Sequence, residues 1–149
     1  RRGIKVHSPE YCAAYRRAVD PHFKRHGDRK NYVPEQAARA RLRATLYRVR
    51  HRAKTNHWAC DIDMLFLLEL LAEQGNVCAI SGLPFDWSEP DGERSPYAPS
   101  IDRIDADGGY TQDNVRLVLT QVNAGLGEWG ATSFLRIARA TARKWPKGG

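Results

Sequence analysis

Asp102, Arg103, Asn114 and Asn123 are the residues of this chain whose types and spacing could do chemistry. They lie in Ser100-Ile101-Asp102-Arg103-Ile104-Asp105, then Gly108-Gly109-Tyr110-Thr111, then Asp113-Asn114-Val115-Arg116-Leu117-Val118, with Asn123 just beyond. Together they place a carboxylate, a guanidinium and two side-chain amides around a glycine turn. Such a set can hold one metal ion against a phosphodiester, because carboxylate and amide oxygens suit a hard cation and a guanidinium suits phosphate oxygen.

Positioning those groups takes strands, a turn and a helix. Residues 100–104 alternate as a half-buried strand, Ala106-Asp107-Gly108-Gly109 supplies turn chemistry, and residues 115–118 alternate again. Residues 119–126 read as a helix ended by Gly127, and a last amphipathic helix is expected to start at Thr132 or Ser133, with Pro146 beyond its end. Upstream, Asp61 or Asp63 can cap a helix from Met64 to Gln74, apolar on nearly every side and closed by Gly75. Val77-Cys78-Ala79-Ile80 reads as a short strand, and residues 86–99 as an exposed loop.

Between Glu35 and Lys54 there is no Gly or Pro, and Leu42, Leu46, Val49 and Ala53 recur at helical spacing. The rest of that helix is strongly cationic. Residues 1–34 mix charge with Pro and Gly and read as a basic arm with a short helix near residues 10–19. The domain division is therefore an arm over 1–34 and one folded domain over 35–149.

The 149-residue chain carries a net charge of +7, unevenly placed. Residues 1–54 hold 16 of the 24 Lys and Arg against four acids, a net of +12, while the remainder nets −5 with 8 basic and 13 acidic residues. A basic front joined to an acid-containing back fits a polyanion grip ahead of a metal site. Cys12, Cys60 and Cys78 are too few and too widely spaced for a disulfide framework or a Cys-x-x-Cys metal site. No run is long and apolar enough to span a bilayer, so membrane association is not expected and a cytoplasmic location is.

Strand, loop, strand and helix with these residues resemble the ββα-metal motif of the HNH endonuclease family, over about residues 77–128. Asp102-Arg103 stands where that family carries Asp-His, Asn114 is its middle Asn, and Asn123 follows nine residues later on the helix. The Asp-Arg form is similar to phage and restriction-type members. The implied fold is α+β, a ββα-metal core with surrounding helices. The family's zinc-knuckle positions fall on Cys78, Ser81, Leu119 and Val122, so no structural zinc is expected, and Leu119 and Val122 should pack on the 64–74 helix instead.

The resemblance implies a metal-dependent hydrolysis of DNA. Asp102 and Asn123 would bind one Mg²⁺ or Mn²⁺, Arg103 would contact a non-bridging phosphate oxygen, and Asn114 would fix the loop. Arginine does not accept a proton at neutral pH, so the general base must lie elsewhere, and His57 is the candidate. Arg39, Arg43, Arg48, Arg50, Arg52, Lys54 and Arg116 are the candidate DNA contacts. The expected partner is double-stranded DNA, with a homodimer as the arrangement able to cut both strands. The alternative is a non-catalytic DNA-binding module on a degenerate HNH scaffold.

Overall fold

The computed structural model describes residues 35–87 and 95–145. The basic arm, and the short helix expected within it, lie outside the described residues. Those described form an α+β arrangement of four helices and one two-stranded antiparallel sheet.

Helix α1 spans Glu35–Asn56. Its stripe of Leu42, Leu46, Val49 and Ala53 is buried, as the periodicity predicts. The helix ends in a Schellman motif: the Trp58 N–H donates to the Ala53 carbonyl at 2.9 Å and the His57 N–H to the Lys54 carbonyl at 3.3 Å. His57 takes the left-handed position, φ 57°, that usually falls to glycine. This reversal sends the adjacent side chains of His57 and Trp58 to different surroundings, one exposed and one half-buried.

Helix α2 spans Met64–Glu73 and is capped by Asp63, whose Oδ1 accepts the Phe66 N–H at 2.8 Å. Leu67, Leu68 and Leu71 are sealed in the core, and Gly75, at φ 68°, ends the helix by the same motif, with the Asn76 N–H on the Leu71 carbonyl. The Val77–Ile80 segment departs from expectation. It makes one isolated bridge, Val77 with Pro84, and turns at once, because the Gly82 N–H closes onto the Cys78 carbonyl. Of the segment expected as an exposed loop over 86–99, the described residues Trp87, Ser95 and Ala98 are buried, and the Trp87 indole N–H reaches Asn76 Oδ1 at 3.2 Å. A buried indole with its N–H satisfied anchors one end of that loop.

Strands β1 (Pro99–Arg103) and β2 (Val115–Leu119) pair antiparallel, with Asp102 opposite Arg116 and Ile101 opposite Leu117. Helix α3 follows directly at Thr120–Leu126, and α4 spans Gly130–Lys144, starting two residues before the expected Thr132. Leu119 and Val122 are buried in one cluster with the leucines of α2. The α4 helix leans on that cluster through Ala131 and Phe134, while its Ile137 is exposed.

Among the described residues the sheet has two strands, and groups from outside it occupy its edges. Gln74 accepts the Leu117 N–H at 3.0 Å on Oε1 and donates Nε2 to the Leu117 carbonyl at 2.9 Å, and the Ala79 N–H reaches the same carbonyl at 3.0 Å, so an amide and one backbone N–H stand where a neighbouring strand would. Two residues on, the Leu119 N–H points to Cys78 Sγ at 3.4 Å. Burial pushes the Cys78 thiol up, but the hydrogen bonds from Ser81, Leu119 and Ile80 outweigh it and leave the thiol below its ordinary value. Gln74→Leu would strand the N–H of fully buried Leu117, so urea denaturation should show a loss of about 1–3 kcal/mol. A change of only a few tenths would show that the amide is dispensable.

Candidate active site

Loop 104–114 is built by Asn114. Its Oδ1 accepts the Asp105 N–H at 2.9 Å, and its Nδ2 donates to the carbonyls of Asp105 at 3.0 Å and Gly109 at 2.8 Å. Asn114 therefore folds the loop and lines neither cleft described below. Glycine is required beside it, because a Cβ on Gly108 would meet the Asn114 amide and one on Gly109 the Ala59 carbonyl. That close approach lets the Tyr110 N–H reach the Ala59 carbonyl at 2.8 Å and the Gln112 N–H reach Asp61 Oδ1 at 2.9 Å. The segment between α1 and α2 is thereby stitched to the loop of the strand pair.

Asp102, Arg103 and Asn123 line one cleft of about 500 Å³, with Arg52, Trp58, Tyr110 and Glu128 among its other walls. Asp102 is buried at 9% exposure and its Oδ2 accepts Arg116 Nε at 2.8 Å across the strand pair. Asn123, on α3, donates Nδ2 to Ser100 Oγ at 2.7 Å and to the Ile101 carbonyl at 3.3 Å. A carbonyl can only accept, which fixes the amide orientation and turns Oδ1 away from β1. Asp102 and Asn123 thus both border the cleft, and a carboxylate with an amide oxygen is a donor set that fits a hard divalent cation completed by water and phosphate oxygens. Among the described residues no group of three His, Cys, Asp or Glu is placed to hold a metal. At the zinc-knuckle positions, Leu119 and Val122 offer packing rather than donors.

Arg103 is held on two sides. Its Nη1 donates to the Gly108 carbonyl at 2.8 Å, and its guanidinium carbon lies 3.8 Å from the centroid of the Trp58 ring and 5.3 Å from that of Tyr110. Stacking of this kind fixes a guanidinium while leaving other N–H groups for an anion.

His57 is exposed and lines neither this cleft nor the smaller one, of about 230 Å³, which also has Asp102, Arg103 and Glu128 in its walls. Among the described residues before α2, Trp58 and Arg52 line the cleft that Asp102 borders. Arg116 lines the smaller cleft, with its Nε paired to Asp102 Oδ2. Arg50 Nη2 donates to the Ile62 carbonyl at 3.0 Å and Arg48 Nη2 to Thr45 Oγ1 at 3.2 Å. Arg43, Arg48, Arg50, Arg52 and Lys54 are exposed on α1, and Arg39 is half-buried.

Sequence reasoning missed Trp58 and Glu128. The signals were thin: an aromatic directly after a helix end, and an acid following Gly127, which takes φ 48° at the end of α3. No helix among the described residues is long and apolar enough to cross a membrane. Comparison with protein-family models, curated proteins and solved structures finds no match to this chain.

Proposed function

We propose that this chain is a metal-dependent DNA endonuclease of the HNH type, with β1, β2 and α3 as its ββα-metal core. One juxtaposition supports the reading: Asp102 and Asn123 border the same cleft as two arginines, Arg52 and Arg103. Binding alone has no need of such a pair of oxygen donors. Asp102 and Asn123 would hold a single Mg²⁺ or Mn²⁺, which when bound supplies Lewis-acid stabilisation of charge on the phosphate. Arg103, steadied by Trp58 and Gly108, donates to a non-bridging oxygen, and Arg52 binds the adjoining backbone. Asn114 keeps the loop closed behind them.

Two observations favour a second reading, the non-catalytic DNA-binding module: Asp102 already carries an internal cation, and His57 stands outside the cleft. Plasmid cleavage with Mg²⁺ or Mn²⁺ separates the two, since binding without cleavage under every metal tried would establish the module.

Within the nuclease reading, Glu128 is the second carboxylate of the cleft and the better-placed proton acceptor. Glu128→Gln should therefore slow cleavage by about a hundredfold and His57→Ala by less than about threefold. The reverse order would return the base role to His57.

A further inference from the structure

We infer that the DNA strand reaches the cleft along one flank only of α1, the flank bearing Arg41, Arg48 and Arg52. The inference rests on the nuclease reading and assigns its substrate path.

The cations of α1 are not spread evenly. Arg41, Arg48 and Arg52 succeed one another at spacings of seven and four, and so share one side of the helix. Arg39, Arg43, Arg50 and Lys54 succeed one another at four, seven and four, on the opposite side. The buried stripe from Leu42 to Ala53 separates the two flanks inwardly, and exposed Tyr47 and His51 separate them outwardly.

Only one flank runs into the chemistry. Arg52 lines the cleft beside Asp102, Arg103 and Asn123, and Arg48 stands exposed one turn before it. Arg48 is tied as well, to Thr45 on its own helix, but on the other flank Arg50 is tied to the Ile62 carbonyl in the connection to α2, and neither Arg43 nor Lys54 lines the cleft. From Arg41 to Arg52 the helix rises about 16 Å, the axial length of about five nucleotides of one strand. Three cations spread over that length can meet separate phosphates of one strand leading to the scissile one, and their continuity with the cleft favours a nucleic-acid backbone over an acidic protein surface.

The test compares two double charge reversals in the full chain, Arg48→Glu with Arg52→Glu and Arg43→Glu with Lys54→Glu. Binding of a short DNA duplex is measured in EDTA as salt is raised from about 0.15 M, where distant charges are screened. The first pair should weaken binding more than about tenfold and lower the salt-dependence slope by about two, whereas the second should stay within about threefold. Neutral Arg48→Gln with Arg52→Gln should move the same way by less, and far-UV melting checks that each variant folds. Equal losses from both pairs, or the larger loss from Arg43 and Lys54, would overturn the one-flank path while leaving a cleaving wild type intact. A wild type that neither binds nor cuts DNA would overturn the nuclease reading and the path with it.

Discussion

Asp102→Asn is expected to abolish cleavage, by about a thousandfold or more, while leaving the fold in place. The two side chains have the same shape, so the amide oxygen can still accept the Arg116 Nε–H that now binds Oδ2 at 2.8 Å. The other position becomes an NH₂ group, which repels a cation instead of binding it. Asp102→Ala should lose as much activity and also some stability, because the half-buried Arg116 guanidinium keeps its charge and loses its partner. With side-chain exposures of 21% for Arg116 and 10% for Asp102, that loss should be about 1–2 kcal/mol, between the surface and fully buried cases. Plasmid cleavage together with urea denaturation checks both. An Asp102→Asn protein that cuts at near the wild-type rate would end the proposal that this carboxylate holds the metal.

Trp58→Ala is expected to have the next largest effect. It removes the ring lying 3.8 Å from the Arg103 guanidinium and the partner whose centroid is 6.2 Å from that of Tyr110. Arg103 would keep its Gly108 tether but lose the surface that fixes its plane. A cation–π contact of this kind is worth about 1–2 kcal/mol, so kcat should fall about tenfold or somewhat more. Trp58→Phe keeps a π face and should recover most of that loss. KM should move less than kcat, because the guanidinium is proposed to act on charge that develops during the reaction. A change confined to KM, or no recovery in Trp58→Phe, would reduce Trp58 to ordinary packing.

Much of this architecture is legible in the sequence because it depends on local rules. The stripe of α1 follows from helical spacing, the start of α2 from the side-chain oxygen of Asp63, and its end from Gly75. The strand pair and its loop follow from alternation and from Gly108-Gly109. Asn114 could be anticipated as a loop-fixing residue because its amide can serve backbone donors and acceptors at once.

What is not legible depends on direction or on distance along the chain. His57 and Trp58 are neighbours, yet a left-handed residue at a helix end decides which of them faces the cleft, and histidine gives no glycine signal there. Gln74 meets Leu117 across 43 positions through a polar side chain, with no periodicity to announce it. Val77–Ile80 is apolar but short: its Ala79 N–H meets the Leu117 carbonyl, and the turn closed by Gly82 onto Cys78 follows before a ladder can form. The cations of α1 are visible as composition, whereas their division into two flanks gains meaning only once Arg52 is found beside Asp102.

The two side-chain amides on the strand pair also limit how copies of this chain could assemble. Gln74 occupies the outer face of β2 at Leu117, and Asn123 occupies that of β1 at Ile101. An incoming strand from a second copy would have to evict an amide at either edge, and at β1 it would dismantle the proposed metal site as well. Were copies of this chain to pair, as the nuclease proposal would allow, helical and loop surfaces would serve more readily than these two strand positions. The same two amides that complete this small sheet also keep it from serving as a template for its own aggregation.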